Sequence, residues 1–239
     1  MKILGGTSRA SVLTLRKALT DAVSKQSAND AATFASELFT ILTVLSSSVG
    51  LRRALTDNSR DKSAKAELIS NLFGKNIKAD AQALLATAAS LRWSSPAELA
   101  DAVEQLAVEA QSAAAEKSNE QESLESELFD FARVLIANPD LRQGLNTSAD
   151  SDEGKLALLD SVVKGKYASS TVTLLQKVVT LRRGRSIDAT LAAYSHYVSS
   201  RKDRLVAHVK SAVELSSSQI EKLVAALTKQ MGRPVHINL

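Results

Sequence analysis

SELFTILTVL (residues 36–45) and SELFDFARVL (residues 126–135) lie 90 positions apart and align without a gap. Ser36/Ser126, Glu37/Glu127, Leu38/Leu128 and Phe39/Phe129 are identical, as are Val44/Val134 and Leu45/Leu135. Outward from this core the same offset pairs Leu51, Arg52 and Leu55 with Leu141, Arg142 and Leu145. It also pairs Lys65 and Leu68 with Lys155 and Leu158, and Leu84, Leu85, Leu91 and Arg92 with Leu174, Leu175, Leu181 and Arg182. That makes 15 identities over 36–97 against 126–187, where unrelated Leu-rich stretches share about 5–10 %. Two unrelated bundles of equal helical period would also match at core Leu positions. A gapless register held across several loops favours duplication of one helical unit.

Within the first copy, Val12, Leu15, Leu19, Ala22 and Val23 fall on one helical face. Ser27 with Asp30 opens a helix striped by Phe34, Leu38, Ile41, Leu42 and Leu45. A short segment covers 51–55. After Ser59 a helix carries Ala64, Leu68, Ile69 and Leu72 and is closed by Gly74. Another carries Leu84, Leu85, Ala88 and Leu91. Ser95-Pro96-Ala97-Glu98 reads as a capping box, with proline at the first helical position. It opens a helix bearing Leu99, Val103, Leu106 and Ala110. The polar, Ala/Glu-rich stretch 113–122 suits either continued helix or a linker. At the 90-residue offset the first helix aligns with 101–114, so the helix over 96–117 is expected to end one bundle and begin the next.

From Arg204 the period changes to two. Leu205, Ala207, Val209, Ser211, Val213 and Leu215 alternate with Val206, His208, Lys210, Ala212 and Glu214, which predicts a strand. Ser216 and Gln219 open a helix with Ile220, Leu223, Val224, Leu227 and Met231; Gly232 ends it and 234–239 alternates again. The predicted fold is therefore mainly α. Two tandem related helical bundles, 1–115 and 116–203, are expected, with the helix 96–117 the candidate for an element shared between them, and a small α+β strand-helix-strand segment, 204–239, follows. Its sheet stops unfinished, which carries the expectation that the natural chain runs beyond Leu239.

Composition narrows function. Nine Gly and three Pro among 239 residues leave few interruptions for long helices. With no Cys there is no disulfide, zinc-cysteine site, iron–sulfur cluster or cysteine nucleophile. The longest apolar run, about 39–45, falls far short of the roughly 20 residues of a membrane span, and MKILGGTSRAS lacks the apolar core of a signal peptide. Net charge +4 is mild, acids and bases are interspersed, and aromatics are 4%, unlike a nucleic-acid binder with clustered charge and stacking platforms.

No convergent chemistry is legible. Gly5-Gly6-Thr7-Ser8 and Gly74-Lys75 lack phosphate-loop spacing. His196, His208 and His236 belong to no metalloprotease pattern; His208 and His236 fall on the predicted strands, where solvated histidine is the default reading and a metal pair the alternative. No Ser sits in a nucleophile elbow. No catalytic, cofactor-binding or metal-binding residue is assigned, and the chain is not expected to be an enzyme. Arg182, Arg183 and Arg185 cluster at a helix end, as macrodipole compensation or as a dock for an acidic partner or phosphate. Glu116, Glu120, Glu122, Glu125 and Glu127 read as a solvated face or junction.

Four elements, in order, carry a resemblance. These are ANPDLRQGL (137–145), LRRGRSIDATLAAY (181–194), VKSAVELSSSQIEKL (209–223) and LTKQMGRPVHINL (227–239). They resemble the delta subunit family of bacterial F-type ATP synthases, whose mitochondrial counterpart is the oligomycin-sensitivity-conferring protein. LRWSSPAELADAVEQLA (91–107) resembles the extra bundle of actinobacterial delta subunits. In some of those, delta is fused to the b stalk subunit; no b-type membrane helix precedes Met1, so this chain looks unfused. It departs from the family in lacking the glycine pair and aspartate–glycine hairpin after the second strand. The resemblance implies a non-catalytic peripheral-stalk (stator) subunit linking the alpha/beta head to the b stalk and resisting rotor torque. Its partners would be the N-terminal helix of an alpha subunit and the b subunit. Its place would be peripheral, on the cytoplasmic face of the plasma membrane, with no membrane insertion and no nucleic acid. The alternative is a helical-repeat adaptor or RNA-binding protein.

One surface is singled out for the alpha-subunit helix. Leu174, Val178 and Leu181 form the core stripe of the helix over 168–181, and Val172, Leu175 and Val179 form a second stripe at i, i+3 and i+7. A surface helix needs only one, so the second is the expected partner-binding row. Its counterparts in the first copy, Gln82, Leu85 and Ala89, are a poorer anchor row.

Overall fold

The computed structural model describes residues 4–147, 151–203, 206–208 and 236–238, with isolated positions 219, 222, 223, 226 and 230. Its elements are α1 (Gly6–Ser24), α2 (Ala28–Ser47), α3 (Val49–Thr56), α4 (Lys62–Phe73), α5 (Ala79–Ser90) and α6 (Pro96–Lys117). They continue with α7 (Gln121–Ala137), α8 (Pro139–Asn146), α9 (Asp152–Val163), α10 (Ser169–Thr180), α11 (Ile187–Asp203), β1 (Val206–His208) and β2 (His236–Asn238). The fold is mainly helical. The bounds of α3, α4 and α5 recur in α8, α9 and α10 with both ends displaced by 90 residues.

The same offset relates the buried positions. Phe34, Leu38, Ile41 and Leu45 of α2 are buried, and so are Leu124, Leu128, Phe131 and Leu135 of α7. Lys65, Ile69 and Phe73 of α4 answer to Lys155, Leu159 and Val163 of α9. A polar contact recurs as well: Glu37 Oε1 accepts from Lys78 N (3.0 Å), and Glu127 Oε2 from Ala168 N (2.9 Å). Each carboxylate satisfies a free backbone donor at the start of the helix that follows.

Helix α6 is the centre. It packs against α1, α2 and α3 on one side and α7, α10 and α11 on the other. Every residue from Ala102 to Ala115 is buried, including Glu104, Gln105, Glu109, Gln111 and Ser112. The contact with α2 is the most extensive between any two described elements. Small side chains, Ala31 and Ala35 on α2 and Ala102, Ala110 and Ala113 on α6, are fully or almost fully buried; they let the backbones come close, and Leu99, Val103 and Leu106 fill the seam. Each such Val or Leu contributes about 1.5–3 kcal/mol. No single described helix is long and apolar enough to cross a membrane; the pair α2–α3 has a suitable composition but is bent by 106°, and α2 spends its apolar side on α6.

Several local readings are refined. Ser27 caps α2 as expected, accepting from Asp30 N at 3.1 Å. Ser95 stands at the N-cap of α6 and Pro96 opens the helix, but the capping box does not form. Glu98 instead turns to the start of α1, where its Oε1 accepts from Gly5 N at 3.4 Å. Stretch 113–122 is resolved as both alternatives: α6 runs to Lys117, the chain turns through Asn119 (φ 59°), and α7 begins at Gln121. Gly74 closes α4 in right-handed geometry; a Cβ there would meet Ser70 O at 2.4 Å, so close approach requires the glycine. In the tail, β1 and β2 pair in parallel, with Val206 opposite His236 and His208 opposite Asn238. His208 and His236 are thus not cross-strand partners. Positions 219, 222, 223, 226 and 230 are helical. The remainder of the strand predicted to Leu215 and most of the predicted helix lie outside the described residues.

Candidate functional site

Charge is concentrated where it was least expected, inside α6. The Glu104 side chain is 1% exposed and receives three donors. Arg183 Nη1 donates to its Oε2 at 2.9 Å, Arg185 Nη2 donates to its Oε1, and the Tyr194 hydroxyl donates to the same oxygen at 3.3 Å. Arg183 also reaches Asp101 Oδ1 at 2.8 Å. One turn on, Glu109 accepts from Arg16 Nε at 2.8 Å and from Gln105 Nε2 at 2.9 Å. Near the helix end Glu116 pairs with Arg201 at 3.0 Å. Buried carboxylates demand such partners. The consequence is that α1, the α10–α11 turn and α11 are each tied by charge to one helix.

The electrostatics follow from the geometry. Burial, then the neighbouring Glu104 charge, push the Tyr194 phenol well above its usual value, so it stays a hydrogen-bond donor. Burial likewise raises Tyr197 to about 12. Burial alone would lower Arg183, but Glu104 and Asp101 outweigh it and hold the guanidinium above its usual value.

The α10–α11 turn is held by the same residues. Arg183 has φ 54° and Gly184 φ 80°, both left-handed. For arginine this conformation is strained, and its two carboxylate contacts hold it there. Arg182 Nη1 donates to Asn146 O at 2.9 Å, and Asn146 Oδ1 accepts from Ile187 N at 2.9 Å. The arginine cluster therefore braces this turn against α6 and α8. Arg182 thus donates to the last carbonyl of α8, in keeping with compensation at a helix end, while Arg183 and Arg185 are taken up by carboxylates of α6 rather than forming an open basic dock.

The predicted partner-binding row is placed differently from expectation. Leu175 and Val179 are 0% and 1% exposed, inside the core, and only Val172 is half-buried. Leu85 and Ala89, their counterparts in α5, are buried too. The physical reason is that α10 is enclosed from two sides, by α9 and by α6, α7 and α11, which covers its first stripe and all of the second but Val172.

The acidic stretch also has structural work. Glu120 Oε2 accepts from Ser170 N at 3.1 Å and its carboxylate from the Ser169 hydroxyl at 3.3 Å, capping α10. Those hydrogen bonds, Ser170's first, hold its carboxyl below the usual range. Glu125 accepts from Gln121 at 3.0 Å.

A cavity of about 520 Å³ opens between α1, α6 and α11, lined among others by Leu4, Arg9, Asp101, Gln105, Ala193 and Tyr197. Its Arg183 and Arg185 already face carboxylates. Among the described residues no group of three His, Asp or Glu side chains could hold a metal ion. Sequence reasoning missed Glu104 and Glu109 because a helix buried all round has no polar face to mark them. The available signal was the 90-residue alignment, which asks the helix over 96–117 to serve two sets of neighbours.

Fold and site define a helical protein organised around one central, charge-braced helix. The model of the family described as ATP synthase delta (OSCP) subunit matches residues 103–239, beginning within α6. Curated relatives cover the rest. The ATP synthase subunit delta of Streptomyces coelicolor is 38% identical over 239 residues, 100% of this chain and 87% of that protein. Those of Kineococcus radiotolerans and Thermobifida fusca are 37% and 36% identical over 234 residues, 98% of this chain and 84% and 86% of theirs. The chain belongs to the ATP synthase delta (OSCP) subunit family. It is accordingly a structural subunit of the membrane-associated F-type ATP synthase complex.

Proposed function

We propose that the chain is a non-catalytic stator subunit of a bacterial F-type ATP synthase, joining the alpha/beta head to the b stalk on the cytoplasmic face of the plasma membrane. The observation that carries this reading is α6, buried from Ala102 to Ala115 and tied by Arg16 and by Arg183, Arg185 and Arg201 to helices on both its sides. A subunit that resists torque needs parts that do not swivel on a flexible linker, and a shared buried helix supplies that. In this reading 1–115 and 116–203 are duplicated bundles sharing helix 96–117, and 204–239 is the strand-helix-strand segment toward the b stalk.

The N-terminal helix of an alpha subunit is assigned to the second bundle, over α10. Val172 is the residue of the proposed row that an incoming helix meets, with Leu175 and Val179 supporting it from beneath. Affinity would come from apolar side chains of that helix laid along the groove. The test is binding of an alpha N-terminal peptide to the full chain. Val172→Glu is expected to weaken it at least tenfold with the melting temperature unchanged, and Gln82→Glu, the first-bundle control, to leave it intact. The opposite pattern reverses the assignment. Absence of alpha and b subunits from a pull-down with the intact chain from cell membranes sinks the stator reading itself.

A further inference from the structure

Helix α7 repeats, uncovered, a face that α2 keeps buried. Phe39 is 1% exposed. The Tyr194 ring of α11 lies against it at 6.3 Å between centroids, and Lys177 Nζ of α10 sits 5.7 Å from its ring centre. Ninety positions later, Phe129 is 65% exposed and Ile136, one helical heptad beyond it, is 75% exposed. The neighbours Leu128 and Leu135 are buried as Leu38 and Leu45 are, so α7 sits in its bundle the same way round. What differs is the cover.

This face is more than an uncovered remnant. Where α2 has Ser46, α7 has Ile136, an apolar residue gained on the exposed side. Where α2 has Ala32, Ala35 and Thr40, α7 has Glu122, Glu125 and Asp130. The apolar pair has thus acquired an acidic surround, with Arg133 the cation between, 3.6 Å from Asp130. On the buried counterpart, the occupant presents an aromatic ring and a lysine to the phenylalanine. A cation over an aromatic ring is attractive, and flanking acids strengthen that preference.

We propose that the Phe129–Ile136 face of α7 docks an amphipathic helix of another subunit, one with an aliphatic or aromatic row and Lys or Arg beside it. A second copy of this chain is the poorer occupant, because the Lys177–Tyr194 surface that covers such a phenylalanine is already spent on Phe39. The inference rests on the stator reading for its setting but not for its chemistry.

The test uses the full chain in native membranes, with a photoreactive phenylalanine analogue at position 129 and, as control, at Leu13, an exposed apolar residue of α1. The expected result is an adduct at 129, several-fold above that at 13, mapping to a helical segment with apolar residues and Lys or Arg at helical spacing. Phe129→Glu with Ile136→Glu should reduce recovery of that partner at least tenfold while the melting temperature holds. No adduct at 129 above the control overturns the proposal, as does an adduct only to lipid, to an acidic segment or to a second copy of this chain. If the adduct fits but the partner is no ATP synthase subunit, the docking face stands and the stator reading falls.

Discussion

Removing the Glu104 carboxylate should loosen the join between the two sides of α6 more than any other single surface-neutral change. In Glu104→Ala, Tyr194 loses its acceptor and Arg183 and Arg185 each lose one, Arg183 keeping Asp101 and Arg185 keeping Arg182 O. Breaking a buried ion pair from one side costs about 3–5 kcal/mol. The arginine side chains are 15% and 30% exposed and so can recover some hydration, which places the expected loss at the lower end, about 3 kcal/mol. For a chain of 239 residues that corresponds to a fall in melting temperature of about 6–12 °C. Glu104→Gln keeps an acceptor for Tyr194 and should lose less. A double-mutant cycle of Glu104→Gln with Arg183→Gln, followed by thermal and urea unfolding, should show coupling above about 1 kcal/mol. Amide exchange should also rise first in 187–203, because α11 is tethered there. A loss below about 1 kcal/mol with no coupling would falsify the view that α6 is braced by charge, and would leave apolar packing as the whole explanation.

Two further outcomes are expected. Gly74→Ala should destabilise by about 1–3 kcal/mol, because its Cβ collides with Ser70 O, whereas Gly50→Ala in α3, with open space around it, should stabilise by about 0.4–1 kcal/mol; equal effects in urea unfolding would refute the distinction. Hydrogen bonds from Ser170 and Ser169 hold the Glu120 carboxyl below its ordinary range in the folded chain, so its contribution is complete above the unfolded value and is lost as pH falls through the depressed one; Glu120→Gln should therefore flatten the acid limb of the stability–pH curve, and an unchanged limb would show that the α10 cap does not depend on charge.

The helical class, the positions of most helices and the family were legible in the chain because they rest on local signals: apolar period, few glycines and prolines, and motifs in order. The offset of 90 residues announced that the helix over 96–117 would face neighbours on both sides. What needed the tertiary structure were the choices that periodicity leaves degenerate. A second apolar stripe on α10 reads alike whether it faces a partner or α9, and only the packing shows Leu175 and Val179 covered. The capping box at Ser95 was a valid local option that lost to a contact with Gly5, 93 residues away. Arg183 and Arg185 looked like a free basic cluster because their carboxylate partner lies some 80 positions earlier, inside a helix with no polar face. Phe39 and Phe129, identical in the chain, part company in space: one lies beneath Tyr194 and Lys177, the other stands 65% exposed. Residue type and spacing determine which faces exist, but burial is a property of pairs of elements, and only their packing decides which face is covered.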